Sequence, residues 1–504
     1  MGIQELWKVI GHSGKEFTLE QLASNQFNKK QGKGLRVAID TALWIFQAKS
    51  SVVGDQSELR VIFFRLCRLY ELGIRPVFVF DGPNRPSYKR NRLINTMPLD
   101  TTFRTNLLDL IRLFNFSSWE AYGEAEAECA MLQRLGFVDL IMTCDSDVFL
   151  FGARRVIRQW PTKRNEPVEC YDLTWITDAT GLDRSDLILI ALLKGSDYDV
   201  QGTQGIGIQV AVGLAKYHYH RELFDDILSI DRRHALDEQK VQHLYDNLTY
   251  ELHHNTRGYI QKKYTNIQLD PKFPNFFIVN DFIHPITHIQ SASYIPKAQE
   301  LQLNLNYYHE PDWEQLAPFI QHTFKWPIDY VLKRFTLLAF PGYMINTLRR
   351  QRPGYKKPHM LKNTKLSSSQ KAKYQTSLDN YYKLTSKART LSRNVIIERI
   401  TANKIINDTI KLYRVEWDQV HLKGFYNKIE LKLDRKAYKD IKLHEDEDED
   451  EEYQRDNVWH TVKRQWVDAT LIHNVYPSLA LNYQTNSNKA DLFLIKPPKR
   501  CKST

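Results

Sequence analysis

Hydrophobic and polar positions fall into two patterns along the first third of the chain. Leu35–Ile39 (LRVAI), Pro76–Phe80 (PVFVF) and Val138–Thr143 (VDLIMT) are short, nearly continuous apolar runs rich in β-branched residues. Glu58–Leu72 and Glu124–Leu135 instead space their apolar residues at the period of a helix. Apolar strands alternating with helices predict an α/β core, a parallel sheet with helices on both faces. From Asp183 the pattern turns helical: SDLILIALLKGSD meets the glycine-punctuated turn QGTQGIG, and a second helix follows from Gln209 to about Tyr217.

The pattern changes again near Tyr330. From there to Leu378, eleven Lys or Arg occur with no Asp or Glu, and beyond Pro341 the stretch also carries Gly, Pro and Ser. Residues 341–390 therefore read as a basic linker. Val395–Ile400 and Lys411–Trp417 predict strands of a small α+β domain over 391–485, closed by a helix-like stretch from Trp466 to Ile472 and then Val475 to Tyr483. An acidic insertion at 445–452 interrupts that domain, and 486–504 form a basic tail.

Composition bounds what the chain can be. Its 504 residues suggest about three domains, and 42% apolar with 26% charged residues is ordinary globular usage. No apolar run approaches the ~20 residues that cross a bilayer. The start MGIQELWKVI lacks a signal-peptide pattern, and Leu6 breaks the Gly2 myristoylation pattern. A soluble intracellular chain without membrane contact is the expectation. Five cysteines without a CxxC pair argue against a disulfide framework and a zinc finger. The net charge of +11 becomes +19 once the eight consecutive acids Glu445–Glu452 are set aside. Such a surplus favours a polyanionic partner, most often nucleic acid.

The acids fall where chemistry is expected. Asp40 ends the first predicted strand, Asp81 follows the second, and Asp145 and Asp147 follow the third. In a parallel sheet these positions share the carboxyl edge, where ligands bind. Glu124 and Glu126 open the helix before the third strand, and Asp197 ends the helix that precedes the glycine-rich turn. Converging carboxylates repel one another, so such a cluster holds divalent cations, and an all-oxygen set favours Mg²⁺ or Mn²⁺ over Zn²⁺. Two ions about 4 Å apart would activate a water and stabilise a leaving oxygen in phosphoryl transfer. The plainer reading makes each acid a helix cap or a solvated loop residue.

In order along residues 1 to 340, the N-terminal MGI, AIDTALWIFQ, FVFDG, GEAEAEC, TCDSDVFLFG and LLKGSDYDVQGTQGIG resemble the structure-specific 5′ nucleases of the flap endonuclease and xeroderma pigmentosum G superfamily. The resemblance implies a nuclease core with a helix-two-turn-helix at about 185–217. It makes Asp40, Asp81, Glu124, Glu126, Asp145, Asp147 and Asp197 the metal-binding, catalytic carboxylates, with two Mg²⁺ per site for which Mn²⁺ substitutes. Gly205 and Gly207, at a helix N-terminus, would grip a duplex phosphate, with a monovalent cation at the same turn. A tight turn needing positive φ is the simpler reading of those glycines. Phe46 matches an aromatic that stacks on a base pair, although a core aromatic beside Trp44 and Ile45 fits as well. Lys89, Arg90 and Arg92 follow Asp81 where the family uses a Lys and an Arg to reach the scissile phosphate; the register is off by about a residue, which leaves open which of them serves, and an exposed basic helix face is the plainer reading. Gly2, Arg85 and Lys216 complete the implied DNA contacts.

Only 43 positions separate Asp81 from Glu124. Flap endonucleases carry a longer segment there, arching over a free 5′ end, so the short one suits a four-way junction. IIERI, YRVEW and Trp466 resemble a chromodomain, and VYPSLALNYQ with EPDWEQLAPFIQHTFKWP resembles the eukaryotic Holliday-junction resolvase branch. That branch implies paired symmetrical cuts in branched DNA, by a protein monomeric in solution and dimeric on the junction, with activity on 5′ flaps as well. A methyl-lysine cage needs aromatic faces; Trp417 matches one cage position, whereas Val395 and Val420 occupy the others, so no methyl-lysine histone binding is expected. QTSLDNYY, Gln375–Tyr382, fits a sliding-clamp docking motif, and the tail KPPKRCK is compatible with nuclear import. The alternatives are a clamp-docked flap endonuclease and a non-catalytic DNA- or chromatin-binding scaffold.

Overall fold

Five parallel strands form the centre of the sheet that organises the first part of the molecule. The computed structural model describes residues 3, 5–29, 34–49, 56–85, 88–89, 92–93, 101–229, 237–291, 293–307, 309–352, 396–406, 410–439 and 463–494. The chain divides into two compact units, Met1–Asp312 and Trp313–Thr504.

In the first unit, β1 (Lys15–Phe17), β2 (Arg36–Asp40), β3 (Arg75–Phe80), β6 (Ser117–Glu120), β7 (Leu140–Met142), β8 (Arg155–Ile157) and β9 (Val168–Asp172) make one sheet, in the order β1-β9-β8-β7-β2-β3-β6. A small separate hairpin pairs β4 (Tyr88–Lys89) with β5 (Arg92–Leu93). The pairs from β8 through β7, β2 and β3 to β6 are parallel, as the sequence pattern predicts. The sheet as a whole is mixed, because β9 runs antiparallel to β8 and β1 antiparallel to β9. No helix separates β8 from β9, and a short connection can return only antiparallel.

β2 and β3 are buried almost throughout. Helices Thr41–Lys49, Ser57–Leu72 and Ala125–Arg134 connect the strands. The Ser57–Leu72 helix buries Leu59, Ile62, Phe63, Leu66 and Leu69, an i, i+3/i+4 stripe, and stops at Gly73 with φ 67°. The helix-two-turn-helix is Arg184–Lys194, the glycine turn and Ile208–Ala215. Asp183 caps its first helix in a reciprocal box with Asp186.

In the second unit, β10 (Ile397–Ile406), β11 (Ile410–Trp417) and β12 (Arg464–Asp468) form an antiparallel sheet in that order. Two expectations change here. Arg464–Asp468 is a strand, not the start of a helix: Val467 pairs with Tyr413 and Trp466 with Arg414. The helix begins at Ala469, where the Asp468 carboxylate accepts from the Thr470 N–H at 2.7 Å. Residues Pro341–Gln351, expected as linker, continue a packed helix, Phe340–Gln351. It follows helix Ile328–Arg334 and the π-helical turn Phe335–Ala339 without a break, and Pro341 falls just past that turn. Phe340, Met344, Ile345 and Leu348 then recur at helical spacing and are buried. Phe340 packs on Phe425 with ring centroids 5.6 Å apart, and Trp313 on Phe425 at 5.3 Å. The division at Asp312/Trp313 rather than at 340 follows, since the helices from Trp313 onward share their core with the small sheet and its helix. The rest of the linker, the acidic run, Gln375–Tyr382 and Val395 lie outside the described residues.

A buried charge ties the helix-two-turn-helix to the segment after it. Asp186, fully buried, meets His218 Nδ1 at 2.8 Å, His220 Nε2 at 3.1 Å and Arg221 at 3.0 Å. Burial alone would raise its carboxyl, but hydrogen bonds from His220, the Asp183 amide and His218 outweigh that and hold it far below the usual range. A carboxylate so depressed contributes stability above its ordinary value of 3.8 and loses it as the pH falls below. Asp186→Ala is expected to cost about 2–4 kcal/mol at neutral pH. In urea denaturation the difference from the parent should shrink in acid.

Candidate active site

The carboxyl edge of the parallel strands collects the acids. Asp40 is the last residue of β2, opposite Val79 of β3. Asp81 directly follows β3, and Asp145 lies three residues beyond the end of β7. Glu124 caps the Ala125–Arg134 helix, Glu126 lies in its first turn, and the Ala125 N–H donates to Asp81 at 3.0 Å. Gly82 is required at this corner: a Cβ there would stand 1.9 Å from the Ala121 carbonyl oxygen. Asp145 accepts from the Asp147 N–H at 3.0 Å, and Asp147 accepts from the Ile3 N–H at 2.8 Å. The first described residue therefore reaches this edge. Asp40, Glu124, Glu126, Asp145, Asp147 and Asp197 are each no more than 8% exposed.

Electrostatics show that these groups sense one another. Burial, then the charge of Asp81, then that of Asp145 push the Asp40 carboxyl up to about 7, against a hydrogen bond from Thr143 Oγ1 at 3.0 Å. Burial pushes the Cys129 thiol well up, and Asp40, Glu126, Glu128 and Asp81 add to it. The Tyr198 phenol, raised by burial and then by Glu124 and Glu126, donates to Glu124. Among the described residues no three His, Cys, Asp or Glu side chains already close on one metal position. The donor set nevertheless fits divalent cations: it is all carboxylate and largely buried, and the charges of Asp81 and Asp145 push Asp40 up, a repulsion that a cation would relieve.

The remaining expected site residues fall in several places. Arg85 pairs with Asp81 at 3.0 Å, so it partly neutralises a carboxylate. Phe46 is 69% exposed, which excludes the core reading. Its helix is pinned from below by Trp44, buried against Phe78 and Trp160 with centroids 5.1 and 5.2 Å away. Lys89 and Arg92 pair across the small hairpin, where a helix face was the alternative; their side chains lie outside the description, as do Gly2 and Arg90. Gly205, at φ 88°, needs its glycine, while Gly207 caps the second helix and Lys216 ends it.

Sequence reasoning missed Thr143, Tyr198 and Glu128. Tyr198 directly follows Asp197 and Thr143 lies two residues before Asp145, which was the available signal. Glu128, fully buried one turn after Glu124, accepts from Trp119 Nε1 at 2.8 Å and from the N–H groups of His288 and Tyr122 at 3.1 and 3.3 Å. Lys297 Nζ stands 3.0 Å from His288 Nε2 on the far side of that ring. Glu128 thereby anchors the helix that carries Glu124 and Glu126.

This sheet edge, with acids after successive parallel strands and a helix-two-turn-helix beside them, defines a metal-dependent nuclease fold. Residues 1–95 match the XPG N-terminal domain and residues 115–197 the XPG I-region. The first match contains Asp40 and Asp81; the second contains the other five acids and ends on Asp197. Through these two segments the chain is similar to the XPG and flap endonuclease superfamily, and among its members to junction-resolving enzymes. Flap endonuclease GEN-like 1 of Arabidopsis thaliana is 37% identical over 206 residues, 36% of this chain and 34% of the relative. Flap endonuclease GEN of Drosophila melanogaster is 26% identical over 402 residues, 66% of this chain and 52% of the relative. The aligned part thus spans only about a third to a half of these relatives' length. A eukaryotic junction-resolving enzyme GEN-1, solved binding caesium, superposes with TM-score 0.69 at 26% identity, covering 96% of this chain and all of that one.

Two outcomes test the site. The raised Asp40 carboxyl takes up a proton on folding between 3.8 and about 7, so the cation-free fold loses stability as the pH rises through that window. Thermal unfolding in a chelator should find Asp40→Asn more stable than the parent by about 1–3 kcal/mol at alkaline pH and equal to it in acid. Mg²⁺ should then stabilise the parent and leave the variant nearly unmoved. Glu128→Ala strands buried donors and should cost about 2–4 kcal/mol by denaturant unfolding, with Glu128→Gln recovering part of the loss.

Proposed function

We propose that this chain is a structure-specific DNA endonuclease that resolves four-way junctions by paired symmetrical incisions and also cuts 5′ flaps. What supports this reading is the gathering of Asp40, Asp81, Glu124, Glu126, Asp145 and Asp147 at the carboxyl edge of the parallel strands, in a chain whose fold is similar to that of a junction-resolving enzyme over 96% of its length.

Asp40, Asp81, Glu124, Glu126, Asp145, Asp147 and Asp197 would hold two divalent cations, Mg²⁺ with Mn²⁺ as a substitute. When bound, such ions polarise the scissile phosphate and lower the pKa of water enough to make it a nucleophile. The chain's own residues do the rest. Thr143 and the Ala42 N–H, at 3.0 and 3.1 Å, fix both oxygens of Asp40, and Tyr198 fixes Glu124. Burial keeps these carboxylates in a low-dielectric setting, where their charge acts strongly. Arg85 leaves Asp81 available to a cation by turning to the incoming phosphate. Lys89 and Arg92 orient that phosphate, and cleavage leaves a 5′-phosphate and a 3′-hydroxyl. Phe46 stacks on the base pair at the branch. The turn ending at Gly207 holds the uncut duplex through a backbone N–H, with a monovalent cation beside it.

A monomer in solution would pair with a second copy on the junction, each making one cut. Basic residues of the C-terminal unit, whose strands resemble a chromodomain, extend the contact along the arms through phosphates. Clamp docking through Gln375–Tyr382 rests on sequence, as does a nuclear location.

The deciding experiment offers an immobile four-way junction and a 5′ flap side by side with Mg²⁺ and maps the strand ends. Paired nicks that a ligase seals are expected, lost in Asp40→Asn and Asp145→Asn while DNA binding persists. Efficient flap cutting with an inert junction would assign the chain to the flap branch, and tight binding without cutting would make it a scaffold. Binding should fall steeply with added salt.

A further inference from the structure

The C-terminal unit contains a cavity of about 250 Å³ that the nuclease chemistry does not use. Its walls are Phe340, Trp417, Leu422, Gln419, Lys423 and Lys463. Phe340 begins one helix, Trp417 ends β11, and Gln419, Leu422 and Lys423 come from the helix Gln419–Glu430. Lys463 directly precedes β12.

Three of the six walls are buried apolar side chains, Phe340, Trp417 and Leu422. The polar atom of Trp417 is already used: its indole N–H donates to Gln465 Oε1 at 3.1 Å. An apolar group entering this space would therefore lose water without facing an unmet donor. The unpaired charge at the cavity is positive. Lys463 is matched by Glu398 at 3.1 Å and Glu416 at 3.7 Å, while Lys423 is exposed and has no acidic partner among the described residues. Val420, one turn before Lys423 on the same helix, is 72% exposed and offers a further apolar contact at the surface.

Two aromatic rings in one cavity would by themselves suit a methylated ammonium. With Lys463 offset by its two glutamates, the exposed Lys423 ammonium in the same lining opposes a cation that enters, and Val420 supplies no third ring. A carboxylate next to an apolar side chain satisfies both features at once.

We propose that this cavity docks an acidic peptide segment of a partner protein, one apolar side chain entering against Phe340 and Trp417 while a flanking carboxylate meets Lys423. This does not depend on the nuclease reading, because no acid of the sheet edge takes part.

The test uses the full chain and a short capped fluorescent peptide with a central phenylalanine between aspartates, read by fluorescence anisotropy. Two controls replace the aspartates by lysines, or the phenylalanine by trimethyl-lysine. The acidic peptide is expected to bind, and both controls to bind at least about tenfold more weakly. Lys423→Glu should weaken the acidic peptide by about tenfold or more. Gln419→Trp, which fills the cavity from its edge, should abolish binding without changing the charge. Tighter binding of the trimethyl-lysine peptide would overturn the proposal in favour of a cation cage. Equal binding of the lysine control, or affinity unchanged in both variants, would overturn it outright. Loss of duplex-DNA affinity in Gln419→Trp, with no peptide bound by the parent, would reassign the cavity to phosphate contact.

Discussion

Mutual repulsion among carboxylates held out of water is the constraint on which the rest of this structure depends. An edge of parallel strands brings Asp40, Asp81 and Asp145 together whatever their chemistry, and burial then makes their charge expensive. Each neighbouring device bears on that cost. Thr143 donates to Asp40, Tyr198 to Glu124, the Ile3 N–H to Asp147, and Arg85 lends a positive charge to Asp81. Each of these partners fixes one carboxylate in place, and divalent cations are the complement proposed for the edge.

The same logic explains why the supporting parts are rigid. A site that must tolerate repulsion needs walls that do not yield, and Glu128 supplies one by joining β6, the turn at Tyr122 and the segment at His288. Asp186 performs a similar task at the helix-two-turn-helix, where two histidines and an arginine surround it. Both are buried acids outside the seven proposed to hold cations. Their role is placement, and the enzyme-like edge uses what they place.

Much of this was legible in sequence because the relevant signals were local. The continuous apolar runs before Asp40 and Asp81 could be strands and little else, and acids after them marked the edge. What the sequence hid was long-range. Arg464–Asp468 becomes a strand only by pairing with β11, some fifty residues earlier in the chain, so local pattern favoured a helix. The Phe340–Gln351 helix is masked by the glycine and proline in its first turn and by a basic surface, and only its contact with Phe425 reveals a core. Glu128 went unnoticed in the sequence, since its three donors come from elements that sequence spacing does not join.

Phe46 carries a consequence for the proposed incision. It sits six residues after Asp40 on a helix pinned by Trp44, its ring outward. That helix, Thr41–Lys49, starts directly after Asp40, so one short stretch of backbone joins the exposed ring to the acid edge. With Phe46 stacked on the branch as proposed, the same helix would act as a fixed ruler between branch and acids, and affinity for DNA could change without moving the cut.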